Sequence, residues 1–519
     1  MTAVHSARTG KPPVAKPPAA KPPAAKAPTN PRTASADRAR AQSKSFLTPD
    51  SPVTLVEQIV AWYAARIDER VLRPGSRMPS IREFSAAHGV SRFTVVEAYD
   101  RLVARAYLES RRGAGFFVRE RSPGAALAAA RAWADAPTGA VDAVWLLRNM
   151  FKRLPARDMP GGGVLPPDWL DASLIASSLR SLGQQNASAL LDYGHPQGYL
   201  PLRQQLQLKL AELEIEVRPD QVLTTNGVTQ GLDLVAQHLL QAGDTVLVDE
   251  PSWFLLFGRY AQLGVRVIGV PRLADGPDLE RLRGLAAEHR PRLFVTSSVL
   301  HNPTSTAMSA AKAYQVLRLA DEFDFRIVED DVYCDLHPGP SVQPCIRLAA
   351  LDQLRRVIYL GGFSKTLAAN LRVGFIACSG ELARDLTDLK MLIGLTSTEL
   401  GERIAYRVLS EGHYRRHLHR LRERLARARD PVLRGLERLG LRPFASPAVG
   451  MFLWTDAGVD TNPIAQRMLE HGFLMAPGSL FLPDQRPSTW MRFNLATSAN
   501  PRMLEQLEKA LDGRAARPP

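Results

Sequence analysis

A helical period opens at Val53. The stretch "VTLVEQIVAWYAARIDERV" sets Val56, Ile59, Val60, Tyr63 and Ile67 on one face. "LRPGSRMPS" then reads as a turn. "SIREFSAAHGV" predicts a short helix with Ser80 as N-cap, Glu83 completing a capping box and Gly89 as the stop. The next helix starts from Ser91 in "SRFTVVEAYDRLVARAYL", with Val96, Tyr99, Val103 and Ala106 expected on its apolar face. "LESRRGAGFFV" reads as two short strands around a glycine turn. The order helix, capped helix, tight turn "HGVS", second capped helix and basic hairpin predicts a winged helix-turn-helix over residues 51–119. Residues 120–158, rich in Ala, Pro and Gly, are expected to link, with "DAVWLLRNMFKR" as a docking helix. Over residues 159–513 apolar strand runs alternate with helical stretches, the mark of an α/β domain with a mostly parallel sheet.

Charge divides the chain differently from hydropathy. The net charge is +14, yet residues 1–50 hold nine Lys/Arg against two Asp, and residues 51–125 hold twelve Arg against eight acids. That leaves a nearly neutral body behind a basic end, which suits a polyanion such as nucleic acid. The opening "KPPVAKPPAAKPPAAKAP" has no apolar side chain larger than valine, so residues 1–50 are expected to form a disordered, basic, proline-rich arm. A hydrophobic share of 45% and a charged share of 23% are ordinary for a chain that buries cores. Cys334, Cys345 and Cys378 are odd in number and lack CxxC spacing, which supports neither a disulfide framework nor a zinc site. With no apolar run of bilayer length and no signal-peptide core, the chain is expected to be soluble and cytoplasmic.

The run "LRPGSRMPSIREFSAAHGVSRFTVVEAYDRLVARAYLESRRGAGFFV" resembles the DNA-binding domain of GntR-type bacterial regulators over nearly its whole length. In such a motif the start of the recognition helix meets base edges, which here means Ser91, Arg92 and Thr94. Arg82 on the preceding helix and Arg111 and Arg112 in the wing are expected at phosphates or in the minor groove.

In parallel α/β sheets ligands bind beyond the carboxyl ends of the strands. There "QVLTT" ends at Gly227 and a new helix, whose free N–H groups suit a phosphate. "TVLVDE" ends near Trp253, "RLFVTSSVL" at Asn302, "FRIVED" at Asp330 and Tyr333, and "RVIYL" at Ser364 and Lys365, with Arg372 beyond. Pyridoxal 5'-phosphate needs this set: a Schiff-base lysine, a carboxylate for the pyridine nitrogen, amide and phenol donors for the ring oxygen, an aromatic face, and N–H groups with an arginine for the phosphate. Taken in order, "YGHPQGYLPLR", "TNGVTQGLDL", "DEPSW", "HNPTS", "EDDVY", "GGFSKTLAANLRVGF" and "MRFNLA" resemble the fold-type I aminotransferases, an α/β/α transferase fold. The resemblance implies that Lys365 forms the internal aldimine, Asp330 pairs with the pyridine nitrogen, and Asn302 and Tyr333 bind the 3-oxygen. It further implies that Trp253 stacks on the ring, that Val228, Thr229, Ser364 and Arg372 hold the phosphate, that Tyr193 reaches across from a second subunit, and that Arg492 binds the substrate carboxylate. Small neighbours are expected to let the cofactor reach Lys365, whose pKa should fall beside cationic groups. The sequence departs from the family pattern at "NPTS", at Gly362 and at Trp253.

A GntR-like winged helix followed by an aminotransferase-like domain resembles the MocR, or GabR-like, regulators. The resemblance implies a homodimeric transcription regulator of double-stranded operator DNA that senses an amine or amino acid by external aldimine formation, with residual transaminase activity. Two other readings stay open: a genuine aminotransferase carrying an accessory DNA-binding domain, and a regulator whose effector is pyridoxal phosphate itself.

Overall fold

The computed structural model describes residues 46–49, 51–111, 113–119, 141–151, 154–185, 191–342, 345–445 and 449–512. Most of the basic arm, Arg112 and linker residues 120–140 lie outside the described residues. The chain folds as two compact units, Met1–Trp133 and Ala134–Pro519.

In the first unit, α1 (Leu55–Asp68) and α2 (Ile81–His88) each begin with a full capping box, Thr54 with Glu57 and Ser80 with Glu83. Each box satisfies N–H groups that a helix start otherwise leaves bare. α2 stops on Gly89 at φ 66°, a left-handed position where glycine carries no Cβ penalty. α3 (Arg92–Ala104) starts from Ser91, and β1 (Leu108–Arg111) pairs antiparallel with β2 (Gly115–Val118). Ile59, Val60 and Tyr63 of α1, Phe84 of α2, and Leu108 and Val118 of the hairpin share one core.

α3 presents a different face from the one expected. Val95, Ala98, Tyr99 and Leu102 are buried, whereas Val96 is exposed and Ala106 lies beyond the helix at φ 56°. Apolar residues stand at both Val95 and Val96, so spacing alone fits two stripes; the buried one carries Leu102 and ends before the C-cap at Arg105. Phe46 stacks on Trp62 with ring centroids 4.2 Å apart, and Leu47 is buried in the same core. The unit therefore recruits the last residues of the stretch expected to be a disordered arm.

The second unit is built on an eight-stranded sheet ordered β3-β10-β9-β8-β7-β4-β5-β6. Its strands are β3 (Val222–Asn226), β4 (Thr245–Glu250), β5 (Arg266–Leu273), β6 (Gly276–Pro277), β7 (Leu293–Thr296), β8 (Arg326–Asp330), β9 (Val357–Gly362) and β10 (Val373–Ala377). The central strands β5, β4, β7, β8 and β9 run parallel, while β10 lies antiparallel between β9 and β3. Both faces are covered, and the period of two sorts the side chains. Val246, Val248, Val328 and Ile358 join one core, whereas Leu247, Ile327, Val357 and Tyr359 join the other. A smaller antiparallel sheet, ordered β11-β12-β14-β13, uses β11 (Arg442–Pro443), β12 (Phe452–Asp456), β13 (Ala476–Pro477) and β14 (Trp490–Asn494). The stretch expected as a docking helix is helical at Ala143–Phe151, and its Trp145 and Leu146 are buried in the first of these cores.

Candidate functional site

Asp330 is the last residue of β8, Lys365 follows the end of β9, and Arg492 comes from β14 of the smaller sheet. The Lys365 Nζ donates to the Gly163 carbonyl at 2.9 Å and stands 5.7 Å from the centre of the Tyr333 ring. Burial, reinforced by Arg492 and Arg372 and opposed by Asp330, pulls the Lys365 ammonium down to about 8. Burial also raises the Asp330 carboxyl to about 6, against the Val332 N–H that Asp330 accepts at 3.3 Å and the charge of Lys365. The Tyr333 phenol is pushed above its ordinary value by burial.

Arg492 is 2% exposed. Its Nη1 donates to Asn302 Oδ1 at 2.8 Å, its Nη2 donates to the Gly161 carbonyl at 2.7 Å, and its guanidinium lies over the rings of Phe452 and Phe481. The Nε is buried without a hydrogen-bond partner among the described residues. Burial brings this arginine down to about 10. A guanidinium so desolvated, with a donor to spare, is prepared to meet an anion.

At the other end of the site the helix Val228–Leu239 starts on Gly227 with no side-chain cap. Gly227 has φ 77°, and a Cβ there would stand 2.6 Å from Arg372 Nη2. That nitrogen donates to the Asn226 carbonyl at 2.9 Å, which draws the guanidinium across the helix start. A helix N-terminus and an arginine thus face the same point, an arrangement suited to phosphate.

The structure accordingly brings Lys365, Asn302, Tyr333 and Arg492 into one cluster, with Asp330 close enough to bias the lysine. Arg372, Gly227 and Val228 form a second group; Thr229 is exposed, and Ser364 and Trp253 are half-buried. Tyr193 is 81% exposed and stands outside the cluster. A Cβ on Gly361 would stand 2.4 Å from the Phe375 ring, and one on Gly362 would crowd Val373, Gly374 and Val228, so these glycines let β10 and the helix start at Val228 come close to β9. Sequence reasoning missed the carbonyls of Gly161 and Gly163; the run "PGGGV" was the available signal.

In the first unit Arg82 and Arg92 are exposed. The hydroxyls of Ser91 and Thr94 lie 2.8 Å apart, and Ser91 Oγ accepts the Thr94 N–H at 3.0 Å, which makes Ser91 a cap before anything else. Arg111 pairs with Glu109 at 2.5 Å and lies over the Phe117 ring.

Residues 159–511 match the family described as aminotransferase class I and II. The chain belongs to that family. Residues 55–118 match the bacterial regulatory proteins of the gntR family, so this aminotransferase-family chain carries a GntR DNA-binding region ahead of its large domain. The uncharacterized HTH-type transcriptional regulator YisV of Bacillus subtilis (strain 168) is 28% identical over 458 residues, spanning 86% of this chain and 93% of the relative. A probable rhizopine catabolism regulatory protein, MocR of Rhizobium meliloti, is 29% identical over 394 residues, spanning 72% of this chain and 76% of the relative. Among solved structures, Pyrococcus horikoshii kynurenine aminotransferase in complex with PMP superposes with a TM-score of 0.65 at 26% identity, covering 72% of this chain and 94% of that one. The domain pairing is that of MocR-type regulators, and the second unit has the fold of pyridoxal-phosphate-dependent aminotransferases. The donor set fits that cofactor: an amine of lowered pKa, a half-buried carboxylate, an amide, a phenol, and a helix start beside an arginine. No helix among the described residues is long and apolar enough to cross a membrane.

Proposed function

We propose that the protein is a cytoplasmic, homodimeric transcription regulator that binds operator DNA and senses an amine or amino acid at a pyridoxal phosphate site around Lys365. One observation carries the reading: a chain with a GntR unit also holds a half-buried lysine whose amine is pulled down by burial and by two arginines, with a carboxylate opposing them. Pyridoxal phosphate, when bound, supplies an aldehyde that condenses reversibly with primary amines. Lys365, pulled down to about 8, gives up its proton more readily than an ordinary lysine and so offers a larger share of free amine. Asp330 holds a negative charge where a ring nitrogen needs a proton kept in place, and Asn302 and Tyr333 donate to a ring oxygen. Trp253 covers the ring face. Val228, Thr229, Ser364 and Arg372 hold the phosphate, and Arg492 takes the carboxylate of an amino-acid effector.

A second copy of the chain completes this site through Tyr193. Leu191 and Leu392 are 86% and 87% exposed, and large apolar side chains left in water support dimerisation. Two GntR units then meet two half-sites, with Arg92, Ser91 and Thr94 at base edges and Arg82, Arg111 and Arg112 at phosphates or in the minor groove. An effector that binds one conformation more tightly shifts the population of the DNA-binding form. A gel shift on the protein's own upstream region, with and without cofactor and a panel of amines, is expected to show a complex whose amount depends on one amine. No complex under any combination contradicts the reading.

The buried Arg492–Asn302 pair also supports a working aminotransferase with an accessory DNA-binding unit. Steady turnover of amino acid plus keto acid at about 1 to 1000 per second favours that alternative.

A further inference from the structure

We infer that Ser305 is a positioning residue for an effector's carboxylate: its hydroxyl ties the Asn302 loop to β12 and so holds Arg492 in place. The inference rests on the reading of Arg492 as the group that takes that carboxylate.

The loop is closed on itself. The His301 N–H donates to the Thr306 carbonyl at 3.0 Å, the Ser305 N–H donates to the His301 carbonyl at 2.6 Å, and residues 301–306 are all buried. Within it Ser305 has φ 55°, a left-handed backbone that is costly for a residue with a Cβ. Glycine would escape that cost, yet the sequence reads "NPTS". The side chain supplies the offset. Ser305 Oγ donates to the Phe452 carbonyl at 3.0 Å and accepts the Phe452 N–H at 3.1 Å. One hydroxyl thus meets both backbone groups of a residue that β11 leaves unpaired, since β11 reaches only Thr455 and Asp456 of β12. The approach is close: a Cβ on Gly450 would stand 2.6 Å from the Ser305 side chain.

Phe452 in turn supports Arg492. The guanidinium carbon lies 4.4 Å from the centre of the Phe452 ring, and Phe452 pairs with Asn494 of β14, the strand that carries Arg492. Arg492 Nη1 donates to Asn302 Oδ1 at 2.8 Å, which returns the path to the loop where it began. Removing the hydroxyl leaves two buried backbone groups without that partner and frees β12 to shift, with the ring that lies against Arg492. A guanidinium displaced by about 1 Å loses the paired geometry that a carboxylate requires.

The test is calorimetric titration of the cofactor-free full chain with two unreactive probes, N-(5'-phosphopyridoxyl)-L-alanine and N-(5'-phosphopyridoxyl)ethylamine, which differ only in the carboxylate. The wild type is expected to prefer the first by at least about tenfold, and Arg492→Leu to lose that preference. Ser305→Ala and Ser305→Gly should each cut the preference at least about threefold and hold the affinity for the ethylamine probe within about twofold. The two variants separate positioning from stability. Both lack the hydroxyl, but alanine keeps the left-handed strain that glycine relieves, so Ser305→Gly should melt at a higher temperature and lose the preference all the same. A preference that survives in Ser305→Gly, or that falls only as the melting temperature falls, overturns the inference and leaves the part given to Arg492 intact. A wild type without preference, or a preference that Arg492→Leu retains, contradicts the carboxylate reading itself and overturns the inference with it.

Discussion

Arg492 of the second unit and Arg92 of the first carry the same guanidinium into opposite surroundings. Arg492 is 2% exposed, held by Asn302 and the Gly161 carbonyl under two aromatic rings. Arg92 stands in water at the first turn of α3. A charge removed from water is tolerated only where each donor is met or about to be met, so every group around it becomes specific and individually expensive to lose. A charge left in water contributes through long-range attraction, which salt screens and neighbours share. The second unit is therefore built to recognise one small molecule, and the first to hold a polyanion by summing modest terms.

The contrast is broken most severely at a glycine. Gly374 of β10 has no space for a Cβ, which would stand 2.6 Å from the Gly227 carbonyl carbon and 2.7 Å from the Val228 nitrogen. Gly374→Ala is expected to displace the helix start, weaken cofactor binding by more than about 100-fold and destabilise the second unit by about 3 kcal/mol. Fluorescence titration and thermal unfolding measure both, and DNA binding by the first unit should persist.

Arg492→Leu acts next. It should cost an amino-acid effector about tenfold or more in affinity while sparing a simple amine, as read by competitive titration. It should also move the titration of Lys365 upward. In the wild type Lys365 sits at about 8 against an ordinary 10.5, so between those values the unfolded chain retains a proton that the folded chain has released. Stability of the cofactor-free chain relative to Lys365→Met should therefore rise with pH across that window and stay level below it. Arg492→Leu should raise its lower edge, and urea unfolding midpoints at a series of pH values check the sign.

Smaller effects belong to the first unit. Arg92→Ala should weaken operator binding about tenfold, and Arg82→Ala should weaken it uniformly over sequences and reduce the salt slope by about one. Ser91→Ala sharpens the comparison from below. As a cap whose oxygen accepts the Thr94 N–H, Ser91 should cost about 1 kcal/mol of stability and leave the salt slope unchanged, in filter binding and thermal melts.

These differences also govern what could be read from sequence. Ser80 with Glu83, and Gly89 after them, were legible because a cap is a contact between near neighbours. Asn302, Asp330 and Lys365 were legible because each follows an apolar run whose end in a parallel sheet is a binding edge. The Lys365 bond to Gly163 joins residues 202 positions apart, and the Arg492 bond to Gly161 spans 331; nothing local announces either. The apolar face of α3 escaped because Val95 and Val96 supply two stripes of the same period.

Visible absorption on addition of pyridoxal phosphate tests the central claim most directly. The wild-type chain should develop a band near the visible edge that candidate amines then shift, and Lys365→Ala should bind without developing it. A wild-type chain that stays colourless at saturating cofactor, or a Lys365→Ala chain with the wild-type band, contradicts the account.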